Sequence, residues 1–242
     1  MPTDAPQTVA LAHRILGPCD GPPLLLLHGL TGEGADWGPV ADSLARDWRV
    51  YIVDLRGHGA SPRALNYSFE LMRDDVLALL DSLGLRRVTI IGHSLGAVLA
   101  YLAALAEPEA VRILVLEEPP PPIPLARPLP EAPDTPRPYD WRAVGQVLRQ
   151  VNAPDPGQFE SLRGIAVPAL VIGGGAASHL PQDSLAEMAR RMPHGEFATI
   201  EAGHCVHAER PEEFLDTVAS FLTRRLTPHD RPVTAAGGGD GR

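Results

Sequence analysis

Val88-Thr89-Ile90-Ile91-Gly92-His93-Ser94-Leu95-Gly96-Ala97-Val98-Leu99-Ala100 joins an apolar β-branched run to a small-residue helical stretch through a serine flanked by glycines. A G-x-S-x-G string means little by itself, but between a strand and a helix it marks a nucleophile elbow. A serine on so sharp a turn sits in strained backbone, and any side chain at Gly92 or Gly96 would collide with the adjoining strand and helix. The turn presents a hydroxyl at a helix N-terminus, where the N–H of Leu95 can face a developing oxyanion. The plainer alternative is an ordinary strand-to-helix turn capped by Ser94.

Working outward, apolar runs of the same kind recur at 24–27, 50–53, 113–116, 169–172 and, more weakly, 197–200. Without polar alternation they read as strands buried on both faces of a parallel sheet. Amphipathic stretches lie among them at 39–47, 69–83, 95–106, 182–191 and 211–226. In the stretch 69–83, Leu71, Met72, Val76, Leu79, Leu80 and Leu83 fall at helical spacing, with Ser68 as N-cap and Gly84 as stop. Strands alternating with helices predict a doubly wound, mostly parallel α/β sheet that binds ligands at the carboxyl ends of its strands.

The alternation breaks at about 119–167, which opens Pro119-Pro120-Pro121-Pro122 and contains one clear helix, 141–151. Prolines lack a ladder donor, so this stretch is no core strand. Inserted after a strand end, it reads as a lid. Trp141, Val144, Val147, Leu148 and Val151 give its helix an apolar face, and Ile123, Leu125, Leu129 and Tyr139 add to the expectation of a compact apolar pocket. The reading is one domain over 1–226 with this insertion, followed by a glycine-rich tail, 227–242, expected to be disordered.

The 242 residues suffice for one α/β domain with a single core. No run approaches the roughly 18 apolar residues of a membrane span, and residues 1–7 lack the basic and apolar regions of a signal peptide. The net charge is −9 and every basic residue is arginine, a surface that repels phosphate backbones and argues against nucleic acid as a partner. Two cysteines, Cys19 and Cys205, are too few for a disulfide framework and point to a reducing cytoplasm. Cys205 beside His204 reads as a small packing residue. Gly29-Leu30-Thr31-Gly32-Glu33-Gly34 lacks the Gly-Lys-Ser/Thr ending of a phosphate-cradling loop.

Four segments, Leu26-Leu27-His28-Gly29, Asp54-Leu55-Arg56-Gly57-His58-Gly59, Gly92-His93-Ser94-Leu95-Gly96 and Ala202-Gly203-His204, stand in order, each at the end of an apolar run. Together they resemble the α/β-hydrolase fold superfamily, and the resemblance implies an eight-stranded sheet. It also implies Ser94 as nucleophile and His204, on the late Gly-His turn, as its base, with the N–H groups of Leu30 and Leu95 as oxyanion hole. His207 is the rival base, read as packing at the start of the last helix. His28 and His58 read as loop braces, and His93 as a variable elbow residue.

The acid departs from the family's majority pattern. After the 169–172 strand the chain reads Gly173-Gly174-Gly175-Ala176-Ala177-Ser178-His179, without a carboxylate, and Asp183 falls on the next helix. A minority arrangement places the acid one strand earlier. Aligning on Val111-Arg112-Ile113-Leu114 then puts Glu118 at the acid position, with Glu117 as the alternative. Strand alternation sends the two to opposite faces, so only one can serve; solvated charges at a strand end remain the plain reading of both.

The resemblance implies a serine esterase or lactonase acting on a small acyl compound through an acyl-enzyme, with no cofactor or metal. Open alternatives are C–C bond hydrolysis, perhydrolysis or lyase chemistry on the same triad, and a non-catalytic ligand-binding member of the fold. The missing acid after 169–172 is the feature favouring the last.

Overall fold

A computed structural model describes residues 8–226. The expectations of no signal peptide at 1–7 and of a disordered tail at 227–242 lie outside the described residues. Five of the apolar runs are β2 (Pro23–Leu27), β3 (Arg49–Val53), β4 (Val88–His93), β5 (Val111–Glu117) and β6 (Ala169–Gly173), and the weaker one is β7 (Gly195–Thr199). They form one sheet in the order β3-β2-β4-β5-β6-β7, all parallel.

At the β3 edge an antiparallel strand, β1 (His13–Leu16), completes seven strands among the described residues, one fewer than the resemblance implies. The residues before β1 spend their donors on side chains: the Val9 N–H bonds Asp75 Oδ1 and the Ala12 N–H bonds Ser61 Oγ. Those donors are therefore not available to a ladder.

Each strand divides its side chains between two cores. Leu25 and Leu27 join Ile90, Leu114 and Val171 beneath α2 (Phe69–Ser82), α3 (Leu95–Ala106) and α6 (Gln182–Arg191). Leu24 and Leu26 join Ile91, Val115 and Ile172 beneath α1 (Gly38–Leu44) and α8 (Pro211–Arg225). Covering both faces is what demands unbroken apolar strands. Helix α2 begins as read from sequence, with Ser68 Oγ accepting from the Leu71 N–H, and ends before Gly84 at φ 64°.

Between β5 and β6 the chain runs as irregular proline-rich backbone to α4 (Trp141–Asn152) and the short α5 (Gln158–Ser161). Helix α4 turns Val144, Val147 and Val151 inward. Of the other apolar residues read into the pocket from this stretch, Leu125 and Leu148 line it. Leu129 is an exposed surface residue, because its side chain stands on the solvent side of irregular chain.

Register carries the candidate site residues to one edge. Leu27 pairs with Gly92, His93 with Glu117, and Glu117 with Ile172, so the residues after β2, β4, β5 and β6 emerge side by side. The elbow leaves no room for side chains on its glycines. A Cβ on Gly92 would stand 2.5 Å from the carbonyl carbon of Gly96, and one on Gly96 2.2 Å from the carbonyl oxygen of Leu27. By contrast a Cβ on Gly145, inside α4, meets nothing closer than 3.8 Å. In urea unfolding we therefore expect Gly96→Ala to destabilise by about 3 kcal/mol and Gly145→Ala to stabilise by about 0.5–1 kcal/mol through helix propensity.

Candidate active site

Ser94 follows β4 with φ 50° and ψ −111°, a strained conformation for a residue other than glycine. Its side chain makes no cap hydrogen bond to α3, which removes the plain capping reading. The hydroxyl instead meets His204 Nε2 at 3.1 Å. His204 arrives on the turn after β7, two residues before the short α7 (Val206–Glu209), and its Nδ1 lies 3.0 Å from Glu118 Oε2. With Nδ1–H donating to the carboxylate, Nε2 is left to accept from the serine.

Glu118 directly follows β5 with φ 47° and is fully buried. Its Oε1 accepts from the Gly174 N–H at 2.5 Å and from Gln182 Nε2 at 2.9 Å; its Oε2 also accepts from Ser178 Oγ. Burial pushes its pKa upward, but these donors together with His204 prevail and hold it below the ordinary carboxylate value. The glycine run after β6, which holds no carboxylate, thus supplies a donor to Glu118 at the end of the neighbouring strand. Asp183 lies in the first turn of α6, as read from sequence.

Glu117 does not reach solvent either. It points the other way, fully buried, and its carboxylate receives the N–H of His207 at 3.0 Å and His207 Nδ1 at 2.8–2.9 Å. The solvated-charge reading therefore fails for both glutamates, which lie on opposite faces as strand alternation requires. His207 is buried, stacked on Trp37 with ring centroids 4.2 Å apart, and also faces Phe214 at the start of α8.

His93 links the two pairs. Its Nε2–H donates to the His204 carbonyl at 2.9 Å, and its ring lies 4.8 Å from that of His204 and 5.2 Å from that of His207. Burial, reinforced by the neighbouring histidines, lowers its pKa to about 4, so the ring is neutral at pH 7. It is a positioning residue, not the filler read at a variable elbow site. Nothing in the pentapeptide alone signals this, because the partner lies 111 residues away.

His28 and His58 brace the loops as expected. His28 Nε2 accepts from the Leu55 N–H and Nδ1 donates to the Gly29 carbonyl, while His58 Nδ1 donates to the Arg56 carbonyl. Burial drives the His28 pKa down to about 3, which keeps it neutral in that arrangement. Cys205 is exposed, not packed, because its neighbours His204 and Val206 take the two inward directions.

Above Ser94 lies a cavity of about 270 Å³. Leu30, Leu95, His179 and His204 border it near the serine, and Phe69, Val98, Leu125 and the inward face of α4 form its apolar walls. Leu95 opens α3, so its N–H belongs to the first turn, whose donors have no intrahelical acceptor. His179, unassigned in the sequence reading, stacks 4.2 Å from His204, and its pKa is lowered to about 4, chiefly by burial.

With this geometry in place, the α/β hydrolase fold family matches residues 22–160. The chain belongs to that family. It is 28% identical to sn-1-specific diacylglycerol lipase ABHD11 of Mus musculus over 89% of this chain and 86% of the lipase. A hydrolase from Pseudomonas aeruginosa PA01 superposes with a TM-score of 0.79 at 25% identity, covering 88% of this chain and 94% of that one. N-formylmaleamic acid deformylase from Pseudomonas putida S16 does so with a TM-score of 0.76 at 25% identity, covering 87% and 96%. Among the described residues no helix is long and apolar enough to cross a membrane.

Because the folded pKa of Glu117 is depressed, its contribution to stability is complete above the unfolded value near 4.5 and is lost as pH falls through the folded value. Glu117→Gln leaves His207 without its buried partner and is expected to destabilise by about 3–5 kcal/mol at pH 7. Urea unfolding of both proteins across a pH series should show that difference shrinking below pH 4.5.

Proposed function

We propose that this family member is a serine hydrolase that cleaves a small carboxylic ester or lactone through an acyl-enzyme on Ser94. The observation that carries the reading is the continuous run from Ser94 Oγ through His204 to the buried Glu118, 3.1 Å and then 3.0 Å, opening into an apolar cavity. A hydroxyl with an alcohol-like pKa needs such a base within hydrogen-bond reach.

In this mechanism His204 Nε2 takes the Ser94 proton as Oγ attacks the carbonyl carbon. Negative charge gathers on the carbonyl oxygen, where the N–H groups of Leu30 and Leu95 donate to it. Glu118 fixes the tautomer of His204 and stabilises the imidazolium. The imidazolium then gives its proton to the departing alcohol oxygen, leaving an ester on Ser94. Water, deprotonated by the same Nε2, attacks that ester, and the proton returns to Ser94 as the acid leaves. The scheme requires no cofactor or metal.

The named relatives, a lipase and a deformylase, agree with hydrolysis at an acyl carbon. The insertion from about 119 to 167, whose helix α4 lines the cavity, is assigned here as a lid. Two free exposed thiols, Cys19 and Cys205, suit a reducing, cytoplasmic compartment. The glycine run that favoured a non-catalytic binding member is engaged with Glu118, which supports turnover over binding alone.

A fluorophosphonate probe should label wild type at Ser94 and leave Ser94→Ala unlabelled. Failure of the folded wild type to label, beside a reactive control esterase, refutes the proposal. Glu118→Gln should lower kcat on a p-nitrophenyl ester by roughly 10³–10⁴-fold, the scale seen when a triad acid loses its charge, and far more than Glu117→Gln does. The reverse ranking would place the acid at Glu117.

A further inference from the structure

The cavity above Ser94 has one lining residue with a permanent charge, Arg127. His179 and His204 border it too, but His179 is neutral at pH 7. Among the described residues the Arg127 guanidinium makes no ion pair and no hydrogen bond. A partly buried cation beside apolar walls keeps its hydration only while the cavity holds water, and a ligand that displaces the water must replace those interactions.

The main chain of Arg127 is held although its side chain is free. Its N–H donates to Asn152 Oδ1 at 2.6 Å and its carbonyl accepts from Asn152 Nδ2 at 2.7 Å. Asn152 is the last residue of α4, and Ala126 just before the clamp sits at φ 51°. In a stretch without regular structure, this paired contact sets where the arginine stands relative to the cavity. A pre-positioned guanidinium with five unused donors is shaped for a carboxylate, which it can hold by two parallel bonds. Glu118 is engaged by four donors of its own, and Glu117 is buried against His207 on the other face of the sheet, so neither pairs with the arginine.

We propose that Arg127 is an anion subsite of this pocket and that the acyl substrate carries a carboxylate remote from the bond that is cleaved. The proposal rests on the reading of Ser94 as an acyl-transfer nucleophile for the identity of the other end of the substrate. The cavity volume, at the small end for ligand sites, fits a short dicarboxylic half-ester better than a long-chain lipid. The local cation also overcomes, at contact range, the repulsion that a chain of net charge −9 presents to an anion at distance.

The test uses monoethyl glutarate and its uncharged near-isostere ethyl 5-methylhexanoate. In a Ser94→Ala background, calorimetry should show monoethyl glutarate binding at least tenfold more tightly than after the further change Arg127→Met or Arg127→Gln, with Arg127→Lys intermediate. In the catalytically intact chain, the ratio of kcat/KM for the half-ester over the isostere should fall at least tenfold on Arg127→Met. The clamp uses only main-chain atoms of Arg127, so these substitutions leave it in place, and a thermal melt verifies folding. Equal binding with and without the arginine, or no saturable binding to Ser94→Ala at millimolar concentration, overturns the subsite. If the arginine governs binding while fluorophosphonate fails to label Ser94, the subsite stands and the hydrolase reading falls. If Ser94 labels and binding ignores Arg127, the opposite holds.

Discussion

Two consecutive carboxylates leave the end of β5 in opposite directions, and the arrangement of the whole carboxyl edge depends on that divergence. Glu117 is still within the strand, so pleating aims it at the α1 and α8 side, where His207 and Trp37 wait. Glu118 is already past it, and its left-handed backbone turns the chain away while the side chain meets His204. Its own N–H remains tied to the Ile172 carbonyl, so the ladder anchors the strained residue. The same pattern occurs one strand over, where the Ser94 N–H bonds the Glu117 carbonyl and Ser94 has positive φ. Strain of this kind persists only where the surroundings over-determine it, and both turns are held by ladders on one side and a packed helix or loop on the other.

Burying two charges a residue apart is costly unless every lone pair is matched. Here Glu118 has four donors and Glu117 takes both the N–H and the ring of His207. The second pair also has a mechanical consequence. By tying His207, three residues beyond His204, to the centre of the sheet, it anchors the far end of the turn, while His93 ties the His204 carbonyl at its near end. The ring of His204 is therefore set by contacts on both flanks, and its two nitrogens are free for Ser94 and Glu118. Preorganisation of that sort is what a proton-transfer group requires.

Most of the fold is legible in the sequence because buried parallel strands leave an unmistakable mark: continuous apolar runs with glycine-rich ends. Strand β1 is not, since His13-Arg14-Ile15-Leu16 lies at an edge, half exposed, and mixes polar with apolar residues. The positions of Ser94 and His204 follow from motif order, Glu118 comes only from aligning the strand before it and leaves Glu117 as a rival, and the structure brings Ser94, His204 and Glu118 together. The partners of Glu117 and His93 do not follow, because each is a contact across about 90 to 111 residues between side chains with no local pattern. Arg127 is the extreme case. It stands in irregular proline-rich chain where neither the period of 2 nor that of 3.6 applies, and only its distant partner Asn152 gives it a place.

The position of Glu118 explains why the turn after β6 reads as it does. A carboxylate arriving from β5 must pass over that turn to reach His204, and a side chain at 174 would fill the path: a Cβ there would stand 3.2 Å from Glu118 Oε1 and 1.8 Å from the Gly203 carbonyl oxygen. The glycine therefore does two things, admitting the turn that carries His204 and offering its N–H to Glu118. An aspartate at 174 itself would collide with the turn that carries His204, because its Cβ would meet the Gly203 carbonyl. The glycine at 174 and the glutamate at 118 are thus two ends of a single hydrogen bond.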